Sequence, residues 1–223
     1  MVDAGTPSKW WRSALALIGL PRQAASAEHR ERIERELFDR VQLRGPVARN
    51  FAVLGVLSSA IAAMGLLLDS APAVIGAMLL GPFIVPLLAI SGSLVRGWGH
   101  RLGRASSMVA LGVTASVASA FLVGIVFGAQ LEREVLPSQL LALTRPGLLD
   151  LGIALVAGIA AGYATMRTEA AGSLSGVAVS VTLEPPLAAM GLFLASGQSG
   201  DLRQAALAFV TNFGALVLGA TFA

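Results

Sequence analysis

Six long apolar segments follow one another from residue 50 to the end of the chain. They cover about residues 50–68, 72–95, 105–129, 148–166, 171–195 and 204–223. A membrane-spanning helix needs about 20 mostly apolar residues, and irregular backbone is not tolerated against lipid. The pattern therefore predicts an all-α integral membrane protein with six transmembrane helices, forming one membrane domain over residues 50–223.

Composition agrees with this prediction and excludes several functions. The chain is 55% hydrophobic and 13% charged, whereas a soluble domain carries about 25% charged residues. It has no cysteine and two isolated histidines, which do not suit a disulfide framework or a Cys/His metal site. No nucleophile elbow, P-loop or HExxH motif occurs. We therefore predict no enzyme, metal, cofactor or nucleic-acid partner.

The basic residues predict the orientation in the membrane. Nine precede the first span, three lie at positions 96–104 and one is Arg167, whereas the other side receives Arg133, Arg145 and Arg203. Because loops rich in Lys and Arg stay in the cytoplasm, both termini are predicted to be cytoplasmic, in a multipass protein of the inner membrane.

Residues 1–49 form a polar, basic N-terminal region. Trp10 and Trp11 precede a short apolar run that is typical of an interfacial helix, and residues 26–44 read as a solvated helix with i,i+4 ion pairs. A cleaved signal peptide is the alternative for the first 27 residues, but Pro21 interrupts its apolar core. We expect cytoplasmic amphipathic helices here.

The two halves of the membrane domain resemble each other at an offset of 100 residues. Asp69 aligns with Glu169, Gly76 with Gly176, and Pro86 with Pro186. Each half holds three segments, so the second half would enter the membrane in the opposite orientation. The prediction is two inverted repeats, residues 50–129 and 148–223, as in many transporters.

The second segment of each repeat contains Gly and Pro where a helix interior is expected. The first has Gly76, Pro82 and Pro86, and the second has Gly176 with Pro185 and Pro186. Because proline removes a helix hydrogen bond, both segments are predicted to be interrupted. Paired interruptions point to a binding site near the midplane; the alternative is that each proline only kinks a packed helix.

Three polar residues at membrane depth are candidate ligands. Glu184 lies midway along its segment, where an ionised carboxylate costs at least ~2.5 kcal/mol; it is either a proton or cation site or a protonated structural acid. Asp150 either binds a ligand or caps its helix. Asn212 can bridge helices or coordinate an ion, and Ser58 and Thr182 are expected to be helix-contact residues.

Several motifs resemble the domain of unknown function 389 family of bacterial membrane proteins. They are the segments 66–90, 144–164 and 176–188 and the run FVTN at 209–212. The resemblance implies a six-span protein of the cytoplasmic membrane and no activity. Matching positions highlighted by the family pattern are Asp69, Gly76, Pro86, Pro146, Asp150, Gly176, Pro185, Pro186, Thr211 and Asn212. At Glu184 the chain departs from that pattern, which usually has an aliphatic residue there.

These features together predict a transporter or channel-like protein for a small solute or ion. Its site would lie between the two interrupted helices, with Asp150, Glu184 and Asn212 nearby. A water-filled cavity reaching Glu184 would favour this function. A dry core with a large oligomer interface would instead favour a non-transporting scaffold or sensor with a cytoplasmic partner. Small-residue runs in the spans favour a homo-oligomer in either case.

Overall fold

The structure is a computed structural model that describes residue 41 and residues 45–128, 136–145, 147–167 and 171–222, with side chains described except at 166–181. The predictions for residues 1–40 and 42–44 lie outside the described residues. Within the described ranges every regular element is an α-helix. The helices are α1 (Pro46–Leu67), α2 (Ala71–Met78), α3 (Ile84–Arg96), α4 (Gly99–Phe127), α5 (Ser138–Ala142), α6 (Leu148–Arg167), α7 (Ala171–Ala195) and α8 (Ser199–Thr221).

Four of the described helices are long and apolar enough to cross a membrane, namely α1, α4, α6 and α8. The part of α7 whose side chains are described, Thr182–Ala195, is a shorter apolar helix, as is α3. α7 packs against α1, α2, α4, α6 and α8, so it lies at the centre of the helix assembly. An all-helical fold with several apolar helices indicates a membrane protein.

The second predicted span is divided into two helices, as its Gly and Pro content predicts. α2 ends at Met78 and α3 begins at Ile84. Pro82 has no N–H to give to the Met78 carbonyl, and a residue before proline avoids the α conformation. Gly81 N instead closes a tighter turn onto Met78 O at 3.4 Å. Pro86 lies in the first turn of α3, where no intrahelical donor is needed.

The fifth predicted span is one continuous helix, so the prediction of an interruption at Pro185 and Pro186 is wrong. Both prolines lie inside α7, which runs unbroken from Ala171 to Ala195. The fixed φ of proline is compatible with an α-helix, and the hydrogen bond it removes can be replaced by a group on a neighbouring helix.

The two turns that precede α4 and α8 have the same geometry at an offset of 100 residues. Gly97 ends α3 with φ 67° and Gly197 follows α7 with φ 70°. Trp98 N donates to Ser93 O and Gln198 N donates to Phe193 O, both at 3.0 Å. This 6→1 bond with a left-handed glycine is the Schellman motif. α4 and α8 therefore begin 100 residues apart, each after the same kind of turn.

Small residues let the long helices approach closely. Between α1 and α4, Ser59 Oγ donates to Ser116 O at 2.8 Å and Ser119 Oγ donates to Val56 O at 2.8 Å. Between α6 and α8 the contact is made by glycine: a Cβ at Gly158 would press on the Leu216 carbonyl oxygen and lie 2.9 Å from Leu216 C and Cα. Close packing thus depends on serine hydroxyls between α1 and α4, and on the missing side chain of glycine between α6 and α8.

Asp69 connects the α1–α2 turn to α5. Its carboxylate accepts hydrogen bonds from Ser138 Oγ at 2.9 and 3.0 Å and from Gln139 N at 3.0 Å. The residue adopts a left-handed conformation, with φ 52°, which aspartate tolerates better than most residues. The Gln139 N–H and the Ser138 hydroxyl lower the pKa of Asp69 below its ordinary value.

Asp69→Asn is expected to destabilise the protein at neutral pH but not in acid. A lowered folded-state pKa stabilises the fold above the unfolded value, about 4, and this contribution is lost as pH falls through the folded pKa. The difference in unfolding midpoint between wild type and Asp69→Asn should therefore be constant near pH 7 and shrink below about pH 4. Thermal unfolding in detergent across this range measures it. A difference that does not change with pH would contradict the prediction.

Candidate functional site

A side chain of α8 supplies a hydrogen bond that the double proline removes from α7. Without an N–H on Pro186, the carbonyl of Thr182 loses its helical donor. Asn212 Nδ2 donates to Thr182 O at 3.1 Å, and Asn212 is buried. An amide on one helix therefore replaces the backbone bond missing from another. Of the two alternatives for Asn212, this contact shows the bridge between helices.

A cleft of about 200 Å³ lies where α6, α7 and α8 meet, beside the end of α5. Asp150 lies in the first turn of α6, whereas Thr182 and Asn212 lie near the middle of their helices. The cleft thus extends from a helix end toward the middle of the bundle. Its lining residues are Ala142, Leu143, Asp150, Ile153, Thr182, Pro185, Pro186, Ala208 and Asn212.

Asp150 both caps α6 and lines the cleft. Its Oδ2 accepts a hydrogen bond from Gly147 N at 2.8 Å, which is how a carboxylate in the first turn satisfies the donor that precedes a helix. The side chain is exposed and also lines the cleft. The two alternatives for Asp150 are therefore compatible, because a capping carboxylate retains further acceptor sites.

The position 100 residues before Asn212 is Gly112, and two aromatic rings pack against it. Phe51 and Phe83 form an edge-to-face pair with ring centroids 5.8 Å apart. A Cβ at Gly112, which is the equivalent of Asn212, would lie 2.7 Å from the Phe51 ring. In the second half, leucines replace both phenylalanines, at positions 151 and 183. Neither leucine lines the cleft; the difference there is that Asn212 lines it, whereas Gly112 packs against two aromatic rings.

Glu184 lies outside the cleft. It is 0% exposed, and within the part of the chain that the structure describes neither carboxyl oxygen has a hydrogen-bond partner. Ser58 of α1 lies beside the carboxyl, but its one hydroxyl proton is donated to Ala77 O at 2.9 Å. With 3.6 residues per turn, Glu184 points roughly 200° around α7 from Thr182.

The cleft therefore brings together Asp150, Pro185, Pro186 and Asn212 among the predicted site residues. The lining does not include Gly76, Pro82 or Pro86 of the first half, which lie on α2, in the α2–α3 break and on α3. Gly176 lies on α7, in the part whose side-chain surroundings are not described.

Thr182 was expected only to make helix contacts, but it lines the cleft and its carbonyl accepts the Asn212 bond. The signal was in the spacing. Residues 182, 185 and 186 lie at i, i+3 and i+4, which places them on one face of a helix. Ser58 was likewise expected to make helix contacts, and its bond to α2 confirms that.

Comparison with known proteins gives one family. Residues 78–218 match the model of the family described as domain of unknown function (DUF389). This range includes α3 to α7, most of α8, and every residue of the cleft. No curated protein and no solved structure matches the chain. The match extends over more than half of the sequence, so the chain belongs to the DUF389 family.

Proposed function

We propose that this protein is a membrane transporter or channel-like protein whose solute occupies the cleft between α6, α7 and α8. The observation that supports this most directly is the meeting of Asp150, Thr182 and Asn212, from three helices, around one space of about 200 Å³. Polar groups that converge in a concave, mostly apolar site are typical of small-molecule binding. Buried polar residues in membrane helices often mark solute or ion pathways.

The chemistry of the cleft favours a small solute that carries positive charge. Asp150 supplies a carboxylate, and the Asn212 amide donates through Nδ2 to Thr182 O, so that its Oδ1 is not used in that bond. Oxygen ligands of this kind suit a cation or a protonated amine. The Asn212–Thr182 bond fixes the position of the amide near the inner end of the cleft.

The proposed architecture has six membrane crossings in two inverted repeats. The matching turns at Gly97 and Gly197 and the three segments in each half support it. At the α3–α4 turn, Arg101 lies 4.2 Å and Arg96 lies 5.1 Å from the centroid of the Trp98 ring. Tryptophan and arginine side by side suit a membrane–water interface, and the basic residues favour a cytoplasmic position for this turn and both termini, in a bacterial inner-membrane protein.

A homo-oligomeric scaffold or sensor is the second candidate function. Glu184 is completely buried, which favours this second function, because a permeation pathway through Glu184 would require water to reach its carboxyl group. The two functions differ in whether water must reach the inner end of the cleft from both sides of the membrane. A transporter must expose this end to water from each side of the membrane in turn, whereas a scaffold has no such requirement.

Thiol labelling at Thr182 distinguishes these functions. The chain has no cysteine, so Thr182→Cys gives a single, nearly isosteric thiol in the cleft. A charged, membrane-impermeant methanethiosulfonate reagent should label it both in spheroplasts and in inside-out vesicles, because alternating access exposes the site to both sides. Ala189→Cys, which is on the same helix and 0% exposed, should stay unlabelled. Labelling of Thr182→Cys from neither side, or from one side under all conditions, would contradict a transport function.

A further inference from the structure

Besides the Asn212–Thr182 bond at the cleft, a second pair of polar side chains, Glu184 of α7 and Ser58 of α1, lies on the side of α7 opposite the cleft. α7 contacts α1 and α2, and Ser58 of α1 lies beside the Glu184 carboxyl. Glu184 is 0% exposed, and so is Ser58. A carboxyl group at this depth requires either donors for its negative charge or an acceptor for its own proton.

The surroundings of Glu184 suit a proton better than a negative charge or a metal ion. Neither carboxyl oxygen receives a hydrogen bond from the described residues, because Ser58 directs its proton to Ala77 O. The Ser58 oxygen keeps a lone pair that can accept a proton from a carboxylic acid. Ala77 O already accepts from Ser58 Oγ and from Leu80 N, so few oxygens remain for a metal ion, which needs several ligands.

No charged side chain among the described residues is positioned to neutralise Glu184. Ionisable groups on the helices that pack against α7 lie within two turns of a helix end, and α2 carries none. These groups are Arg49 on α1, Arg96 on α3, His100, Arg101 and Arg104 on α4, Asp150, Tyr163 and Arg167 (whose side chain is not described) on α6, and Asp201 and Arg203 on α8.

We propose that Glu184 and Ser58 are a proton-binding site that is coupled to the cleft through α7. The protonated acid donates to Ser58 Oγ, and release transfers that proton to water and leaves a carboxylate. A carboxylate cannot stay in this dry contact, so release requires α7 to separate from α1 and α2. The eight-residue α2 is separated from α3 by the non-helical residues 79–83, so this movement does not require α3 to move as one rigid helix with α2. Since α7 also forms a wall of the cleft, proton release alters access to the solute, an inference that rests on the proposed function.

Infrared spectroscopy of the full chain in lipid nanodiscs tests the proton site directly. Wild type should show a carboxylic-acid carbonyl band near neutral pH that shifts in D₂O and is lost in Glu184→Gln. Ser58→Ala should move this band, because the acid loses its acceptor. Ser93→Ala is the matched control, since this buried serine donates to Ala89 O within its own helix; it should leave the band unchanged. Absence of the band, or a band that persists in Glu184→Gln, would overturn the proposal.

Labelling of Thr182→Cys as a function of pH tests the coupling. The rate with Glu184 present, divided by the rate in the Glu184→Gln background, cancels the intrinsic pH dependence of the thiol. This ratio should fall as pH rises, for reagent added on the side to which the cleft is open in this structure. Ionisation of Glu184 moves the protein out of this conformation, whereas the Glu184→Gln protein cannot ionise there and remains in it. A ratio that is constant with pH overturns the coupling. If Thr182→Cys is never labelled, the transport function fails, whereas the infrared band still decides whether Glu184 holds a proton.

Discussion

Gly158→Ala and Gly219→Ala are each expected to destabilise the protein by about 3 kcal/mol, at the upper end of the cost of overpacking a core. A Cβ at Gly158 would lie 2.9 Å from Leu216 C and Cα, and one at Gly219 would lie 2.9 Å from Ile159 N. The obstructing atoms are backbone, which no rotamer change can move. The added methyl group must therefore push α6 and α8 apart along their whole contact.

Two other glycines on the same helices provide matched controls. At Gly152 of α6 and Gly214 of α8, nothing lies within 4 Å of the position that a Cβ would occupy. Alanine there should be neutral or stabilising by up to about 1 kcal/mol, because alanine has the higher helix propensity. Unfolding of the purified protein in mixed detergent micelles measures all four variants. Equal losses at all four positions would show that the close approach of α6 to α8 is not the cause.

Asn212→Leu is expected to destabilise the protein by about 1–3 kcal/mol, the cost of leaving a buried hydrogen-bonding group without its partner. Leucine has the same branched shape and the same number of heavy atoms, and it leaves without a donor the Thr182 carbonyl, which accepts from Asn212 Nδ2 at 3.1 Å. Pro186→Ala restores an N–H one turn after Thr182. In that background Asn212→Leu should cost much less.

The double-mutant cycle isolates the bond between the helices. Its interaction term should be about 1 kcal/mol or more, as for groups in one hydrogen-bond network. Thr211→Val serves as a control on α8, because Thr211 Oγ1 donates to Leu207 O at 2.8 Å within its own helix. This control should depend little on residue 186. An Asn212→Leu cost that is the same with proline or alanine at position 186 would contradict the role assigned to the amide.

The helices were predictable where apolar length alone decides the structure. The segment 171–195 agrees with α7, and 148–166 differs from α6 by one residue. α4 begins six residues and α8 five residues before the predicted segments, because their first turns contain Arg101 or Asp201 and polar residues can extend a helix beyond the apolar core. The break near Pro82 was predicted because glycine and proline adjoin there.

The candidate site was only partly predictable. Asp150 and Asn212 were identified because polar residues are rare in apolar segments. The sequence did not indicate that they share a cleft that excludes Glu184, since this depends on which faces of α6, α7 and α8 meet. Nor did it indicate that Phe51 and Phe83 pack against Gly112, which lies 100 residues before Asn212. A repeat in sequence predicts similar helices and does not predict similar cavities.

The sequence by itself determined the apolar helices, the break in the first half and the 100-residue correspondence of the turns at Gly97 and Gly197. Each of these depends on residues close together in the chain. Only the tertiary structure decided that α7 stays continuous through Pro185 and Pro186 and that Asn212, on another helix, replaces the hydrogen bond that Pro186 removes. It alone separated the cleft from Glu184, because a helix places neighbouring residues on different faces and the packing around it decides which face holds a ligand.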